Sequence, residues 1–186
     1  MPAPLPDVPA EVLGRLDVVP ALDRLDLLAP PVADAVTALR DRRVLVAEID
    51  PELADTAALC EAYATTPSAS ANCVVVTGKR AGDERWAACL VLATTRADVN
   101  GLVKRRLDVR KASFAPREEA IARTSMEFGG ITPLGLPAGW PLLVDAAVAA
   151  SPWLLIGSGV RRSKLLVPGD VLAGLPAAEV VDGLGV

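Results

Sequence analysis

The sequence predicts a mixed α+β fold, in which six or seven short strands form a small, mixed, barrel-like sheet flanked by helices. Short apolar runs alternate with helix-like segments along the 186-residue chain, and strands at that spacing suit a small mixed barrel. The hydrophobic content of 52% is sufficient for one buried core. We expect a principal domain over residues 43–186, preceded by an acidic helical extension over residues 1–42.

The predicted extension is acidic and rich in proline. Residues 1–60 carry 11 acidic and 5 basic side chains, a net charge of −6. Four prolines among the first ten positions predict that the chain begins as a loose tail. Residues 11–40 are typical of leucine-rich helical pieces, which Pro20 and the pair Pro30-Pro31 interrupt because proline removes a helix hydrogen bond.

The first core strand and helix are predicted directly after the extension. Arg43 to Ile49 (RVLVAEI) is strand-like. Asp50 then provides an N-cap, and Pro51 suits the first helical position. Small and apolar residues follow at near-helical spacing and predict the buried stripe of this helix: Leu53, Ala57, Cys60 and Ala64.

A hairpin and a capped helix follow. The apolar runs Cys73–Val76 and Trp86–Ala93 surround the polar turn Lys79–Glu84 and indicate a largely buried hairpin with a longer loop. Thr95 and Asp98 form a capping-box variant, which predicts a helix to about Arg106. The remaining predicted elements are a strand at Arg110–Ala115, a helix opened by Pro116, strands at Pro141–Val144, Trp153–Ile156 and Leu165–Val167, a helical turn near Asp170–Ala173, and a strand at Glu179–Val181.

Two glycine-rich stretches carry the strongest functional signal. The first glycine stretch is GGITPLG, Gly129–Gly135, and the second is GSGVRR, Gly157–Arg162. Clustered glycines mark backbone that turns sharply or approaches a ligand. Amide N–H groups beside two arginines suit an anionic or carbonyl-bearing ligand. The alternative is a pair of ordinary loops, because neither stretch matches the phosphate-loop or dinucleotide pattern.

The absence of histidine excludes several kinds of site. Ser-His-Asp and Cys-His nucleophiles, imidazole bases and most zinc sites are ruled out. Cys60, Cys73 and Cys89 lack the close spacing of metal ligands, so we expect buried reduced thiols, no metal and no cofactor. A net charge of −4 argues against a general nucleic-acid coat. The sequence has neither a signal-peptide pattern nor an apolar run of membrane-spanning length, so we expect a cytoplasmic protein without a membrane partner.

From Ala71 onward, the order of elements and glycine stretches resembles the YbaK/ProX family of aminoacyl-tRNA deacylases. These are free-standing relatives of the editing domain of bacterial prolyl-tRNA synthetases. The resemblance covers about residues 48–184. Its motifs are TSMEFGGITPLG (Thr124–Gly135), the strand end Val144-Asp145, and IGSGVRR (Ile156–Arg162). Each motif is weak alone, and together in this order they are fairly specific.

The resemblance implies a mixed β-barrel with surrounding helices and a trans-editing hydrolase, which cleaves the ester between a wrongly attached amino acid and tRNA. The 3′ acceptor end of aminoacyl-tRNA is then the partner, and an aminoacyl-tRNA synthetase is a further candidate. Backbone N–H donors and the substrate's ribose hydroxyl would assist attack by water. The implied catalytic residues are Asn72, Gly130, Ser158 and Gly159. The implied substrate-binding residues are Ala71, Cys73, Gly129, Thr132, Pro133, Gly135, Asp145, Gly157, Arg161 and Arg162.

Two of these side chains have alternative roles that the sequence leaves open. Ser158 either orients the water or ribose hydroxyl, or bonds the local backbone in a turn. We favour Asp145 as an anchor for the glycine stretches over Asp145 as a general base. Only one of the two arginines can face the pocket if the segment is extended.

One position departs from the family pattern. The family has a lysine near the start of the first core strand, where this chain has Asn72, which forms hydrogen bonds but brings no charge. Lys79, Lys111 and Lys164 are candidates to supply that charge. The alternative function is therefore a weakly active or inactive binding module for an aminoacyl or nucleotide-like ligand. A third possibility is an interaction protein, whose N-terminal helices recruit a partner or cover the barrel.

Overall fold

Nine strands form two sheets in the computed structural model, which describes residues 5–186. The strands are β1 Val18–Pro20, β2 Leu45–Glu48, β3 Ala71–Arg80, β4 Asp83–Leu92, β5 Ala112–Phe114, β6 Leu142–Asp145, β7 Leu154–Gly157, β8 Ser163–Val167 and β9 Ala178–Val181. A four-stranded sheet has the order β1-β2-β8-β7, and a five-stranded sheet has the order β5-β3-β4-β6-β9. The mixed α+β class is confirmed, although the strands form two sheets and not one closed barrel.

Short helices surround the sheets. They are α1 Ala10–Leu13, α2 Pro30–Leu39, α3 Thr56–Tyr63, α4 Lys104–Arg106, α5 Arg117–Thr124, α6 Ala146–Ala149 and α7 Gly169–Ala173. Four 3₁₀ turns lie at Ala21–Asp23, Leu25–Leu27, Pro51–Leu53 and Pro67–Ala69, and a π-helical turn at Val99–Val103 precedes α4. Within residues 5–186, no helix has the length and apolar character needed to span a bilayer.

The two sheets meet where β3 begins beside β7. A parallel bridge pairs Ser70, just before β3, with Leu155 in β7. The main core lies between the sheets and contains buried side chains from both, such as Leu90 and Leu165. This junction places the start of the long hairpin next to the second glycine stretch.

The predicted hairpin is present, but its strands are longer than the apolar runs and its loop is shorter than predicted. β3 and β4 pair in antiparallel register over ten residues each, from Ala71 opposite Leu92 to Arg80 opposite Asp83. Ala81 and Gly82 form the turn, and both have positive φ. Such a two-residue turn matches the twist of paired strands, which explains why the pairing continues to the hairpin's end.

The N-terminal segment packs onto the same core as the rest of the chain. β1 pairs with β2, with Val18 opposite Ala47. The prolines at 30 and 31 begin α2 instead of interrupting a helix, because proline's missing N–H is tolerated in a first turn. Val32 and Val36 of α2 are completely buried in the main core. Residues 1–4 of the predicted tail lie outside the described residues, and the division at residue 42 stays a prediction.

Two predicted helices begin later than their sequences indicate. Asp50 is an N-cap as predicted, but it caps only the 3₁₀ turn before α3, and its Oδ1 accepts from the Glu52 amide at 3.0 Å. The α-helix begins only at Thr56, so its buried face is not the one that the sequence predicts. Leu59 is the buried residue of α3, and the predicted stripe is wrong. Asp98, and not Thr95, caps the following helix, since its carboxylate accepts from two amides 2.9 and 2.7 Å away.

Candidate functional site

A cavity of about 430 Å³ lies beside the start of β3 and the end of β7. This volume is within the usual range for small-molecule sites. Apolar wall residues include Leu59, Val75, Ala120, Ile131, Leu155 and Ile156. Polar groups come from Thr56, Ser70, Asn72, Cys73, Arg117 and Lys164. Among the described residues, no aspartate or glutamate lines the cavity, so its wall carries positive charge only.

The two glycine stretches are in direct contact at this cavity. The Gly159 amide donates to the Gly130 carbonyl oxygen at 2.7 Å. A Cβ atom on Gly157 would lie 2.3 Å from that same oxygen, so only glycine permits this approach of one backbone to the other. Gly129, Ile131 and Gly157 contribute to the cavity wall.

The amide N–H groups of the glycine stretches differ in availability. The Gly130 amide donates to the Glu127 carbonyl at 2.9 Å, and the Gly159 amide is bound to Gly130. The amides of these two residues, which the resemblance implies as catalytic, are therefore occupied by backbone acceptors. By contrast, the Gly129 and Ile131 amides make no hydrogen bond within residues 5–186, and both residues line the cavity.

The predicted site residues divide into those that line the cavity and those that lie outside it. The first group contains Ala71, Asn72, Cys73, Gly129 and Gly157. The second group contains Gly130, Thr132, Pro133, Gly135, Asp145, Ser158, Gly159, Arg161 and Arg162. The functional roles of all of them stay predictions.

Ser158 is completely buried behind the cavity wall. Its Oγ lies 2.9 Å from the Ser163 carbonyl oxygen and 2.8 Å from Ser163 Oγ. Ser163 Oγ in turn donates to the carbonyl of Leu27 at 2.6 Å. These hydrogen bonds tie the second glycine stretch to the N-terminal segment, and they agree with the structural alternative for Ser158.

The Asp145 carboxylate binds backbone amides that lie outside the glycine stretches. Its Oδ1 accepts from the Ala147 amide at 2.9 Å and caps α6. Its Oδ2 accepts from the Gly185 amide at 2.8 Å. The expected anchoring by backbone N–H groups is present, but it fixes the end of β6 and the C-terminal residues instead.

The remaining residues of the first glycine stretch lie outside the cavity wall and pack against other segments. Thr132 and Pro133 are buried. Gly135 has a φ of +78°, and a Cβ there would lie 2.3 Å from the Pro31 carbonyl oxygen. This close approach packs the stretch onto the first turn of α2.

The two arginines of the second glycine stretch point to different partners. The Arg161 guanidinium lies 3.5 Å from Asp55 Oδ1, and its backbone amide donates to Glu127 Oε2 at 2.6 Å. Arg162 is more exposed and donates to the carbonyl of Asp26. Arg161 adjoins the cavity edge, because a Cβ on Gly129 would lie 2.5 Å from its Nη1.

One of the three candidate lysines lies in the cavity wall. Lys164 lines the cavity and pairs with Gly157 across β7 and β8. Burial lowers the pKa of Lys164 below its usual value, and nearby Asp55 partly opposes this shift. Lys79 is paired with Glu84 at 3.4 Å, and Lys111 is exposed, so both lie away from the cavity.

The comparison with protein families identifies the chain. The aminoacyl-tRNA editing domain matches residues 50–175, more than half of the sequence. The chain belongs to the aminoacyl-tRNA editing domain family. The predicted resemblance is thereby confirmed.

Solved structures share the fold of this editing domain. One is a protein proposed as a trans-editing enzyme for prolyl tRNA synthetase, with a TM-score of 0.70 and 21% identity over 83% of this chain and 94% of that chain. Another is the hypothetical protein APE2540, with a TM-score of 0.71 and 19% identity over 82% of this chain and 97% of that chain. A search of curated proteins found no match.

Sequence reasoning missed several residues in the cavity of the editing domain. Thr56 and Leu59 lie on α3, which begins at a later residue than the sequence predicts. Phe114 and Phe128 lie on either side of α5, Arg117 is its first residue, and all three line the cavity with largely exposed side chains. The available signal was that the two phenylalanines fall in polar, charged surroundings, where a core residue is not expected.

The cysteines at this end of the editing domain are poor nucleophiles. Burial raises the pKa of Cys73, which lines the cavity, and the neighbouring Cys89 adds to the shift. Burial also raises the pKa of Cys89 to about 12. Both thiols are therefore protonated at neutral pH, and the thiolate is the reactive form.

Proposed function

We propose that this editing domain hydrolyses the ester bond of mischarged aminoacyl-tRNA. The cavity of about 430 Å³ beside the two contacting glycine stretches carries the proposal. It offers unbonded amide donors and an apolar interior within a chain of the editing family. The wider proposal of a synthetase partner rests on the resemblance alone, and that of a cytoplasmic location rests on the sequence pattern.

The reaction requires little from the protein beyond positioning and electrostatics. Water attacks the ester carbonyl carbon, the carbonyl oxygen becomes an oxyanion, and the bond to the ribose oxygen then breaks. A proton passes from the water to that ribose oxygen, and the neighbouring ribose hydroxyl assists this transfer. The Gly129 and Ile131 amides are the proposed oxyanion donors, because they have no hydrogen-bond partner within the described residues.

The cavity wall favours an amino acid side chain without positive charge. Its interior is mainly apolar, and its charged groups, Lys164 and Arg117, are both basic. A cationic substrate side chain would meet like charge there and lose water without compensation. Ser70 lies in the wall with 4% of its surface exposed, and its Oγ has no partner within residues 5–186. We propose that this hydroxyl binds the substrate's α-amino group.

Deacylation of a panel of mischarged tRNAs tests the proposal. We expect purified protein to shorten the ester half-life for at least one uncharged amino acid, and to leave lysyl and arginyl esters near the buffer rate. Half-lives equal to the buffer blank for every tRNA would contradict the enzyme proposal. Saturable binding of a non-hydrolysable aminoacyl-adenosine without turnover would instead support the binding module that Asn72 favours.

Lys164 is the proposed cation of the site. Lys164 pairs with Gly157, which has no side chain to stand between Lys164 and the start of β3. The bridge between Ser70 and Leu155 brings that start of β3, with Asn72, beside β7. Its ammonium makes no hydrogen bond or ion pair with the described residues, so it is free to bind the ester carbonyl oxygen. The positive charge of Lys164 on β8 then takes the place of the family lysine, where β3 has Asn72.

Paired substitutions distinguish this role from a structural one. We expect Lys164→Met to slow deacylation roughly 100-fold with little change in melting temperature, because a donor to the oxyanion is lost. We expect Ser158→Ala to keep the rate per folded molecule and lower stability by about 1–3 kcal/mol, because its buried partners lose a hydrogen bond. Lys111→Met is the control for charge alone. Full activity in Lys164→Met, or rate loss without destabilisation in Ser158→Ala, would contradict these roles.

A further inference from the structure

Two phenylalanines project into solvent at the cavity. Phe114 is 58% exposed and Phe128 is 48% exposed, and both line the cavity. The other four aromatic side chains are buried or half-buried. Exposed rings contribute little to the fold, so their position at one cavity suggests a ligand with an extended apolar surface.

An arginine completes the same edge of the cavity. Arg117 is the first residue of α5, and its Cζ lies 4.7 Å from the centre of the Phe128 ring. Its guanidinium therefore lies over one face of that ring. Phe114 ends β5, close to the start of α5. We call Phe114, Arg117 and Phe128 the aromatic rim.

We propose that the aromatic rim stacks on the terminal adenine base of the aminoacyl-tRNA while the acyl group occupies the cavity. This inference rests on the proposed function. The amino acid and the adenine are attached to the same ribose, so an ester inside the cavity places the base at the cavity's edge. Aromatic rings and guanidinium planes are the usual surfaces for unstacked bases.

The charge and the size of the rim favour one base over a longer strand. The rim provides two rings, whereas tracking a single strand requires successive stacking positions. Arg117 is positive and suits the adjoining phosphate. The net charge of the chain is −4, so contacts with a longer stretch of backbone phosphates are not generally favoured.

Two substrates separate base recognition from acyl recognition. One is the mischarged tRNA, and the other is the aminoacyl ester of methyl riboside, which keeps the neighbouring ribose hydroxyl and lacks the base. We expect Phe114→Ala and Phe128→Ala each to raise KM for the tRNA about 5- to 100-fold, as loss of one stacked base predicts. We expect hydrolysis of the riboside ester to stay unchanged. Val180→Ala is the control, since Val180 is 49% exposed on β9 and does not line the cavity.

Binding of the trinucleotide CCA gives a readout that does not depend on hydrolysis. We expect the wild-type protein to bind it more tightly than either phenylalanine variant, and Phe128→Tyr to restore binding. Equal CCA affinity in all variants would overturn the rim proposal, as would a parallel rise in KM for the riboside ester. A wild-type protein that binds CCA through the rim and hydrolyses neither ester would overturn the proposed function and keep the rim.

Discussion

Replacing Gly157 with alanine is expected to lower the deacylation rate roughly 100-fold, far more than its effect on folding would explain. The new Cβ would lie 2.3 Å from the Gly130 oxygen and 2.7 Å from the Ile131 oxygen. Both of those atoms are backbone, so the two glycine stretches must separate. Displacements of about 1 Å can cost 100-fold in rate, whereas overpacking typically costs about 1–3 kcal/mol of stability.

The measurement is the single-turnover deacylation rate beside the thermal unfolding curve. Gly174→Ala is the matched control, because a Cβ there approaches its nearest neighbour, the Asp170 oxygen, only to 3.3 Å, and Gly174 has a φ of −89°. We expect this control to resemble the wild-type protein in both assays. An unchanged rate in folded Gly157→Ala would show that the spacing of the glycine stretches is irrelevant to the chemistry.

Val32→Asp is expected to unfold the protein. Val32 has no exposed surface and lies in the main core, and its Cγ2 occupies the space beside Gly159. An unpaired carboxylate there costs several kcal/mol, which is comparable to the total stability of about 5–15 kcal/mol that domains usually possess. Circular dichroism and size-exclusion chromatography measure the result.

Asp34→Ala in the same helix is the control, because Asp34 is exposed and such changes usually stay within about 0.5 kcal/mol. Deletion of residues 1–40 extends the test. We expect the shortened chain to lose its cooperative unfolding transition, because it lacks β1 and α2. A shortened chain that melts near the wild-type temperature would instead support a separable N-terminal extension.

Local patterns were sufficient for much of the fold. The hairpin was predictable because its apolar runs lie on either side of a polar segment, although its loop is shorter than predicted. The later strands were predictable as short apolar runs. The proline pair at 30 and 31 was ambiguous, since proline both interrupts helices and begins them. Only the packing of α2 onto the glycine stretches distinguishes the two cases.

The contact between the two glycine stretches was predictable, but the hydrogen bonds around the cavity were not. The contact between the glycine stretches follows from the close approach that glycine permits. Which amides remain unbonded depends on turn hydrogen bonds such as Gly130 to Glu127, which motifs do not reveal. Ser158 was ambiguous because its neighbour Ser163 bonds Leu27, 136 positions earlier in the chain. The exposed phenylalanines depart from the usual burial of that residue type, so their sequence surroundings gave only a weak signal for the rim.

The hydrogen bond from Ser163 to Leu27, together with that from the Ala29 amide to the Ser158 carbonyl, joins the N-terminal segment to the residues behind the cavity. We therefore expect that the N-terminal segment does not unfold at a lower temperature than the main core. Inactivation and global denaturation should share one temperature, and catalysis should persist until the whole architecture fails.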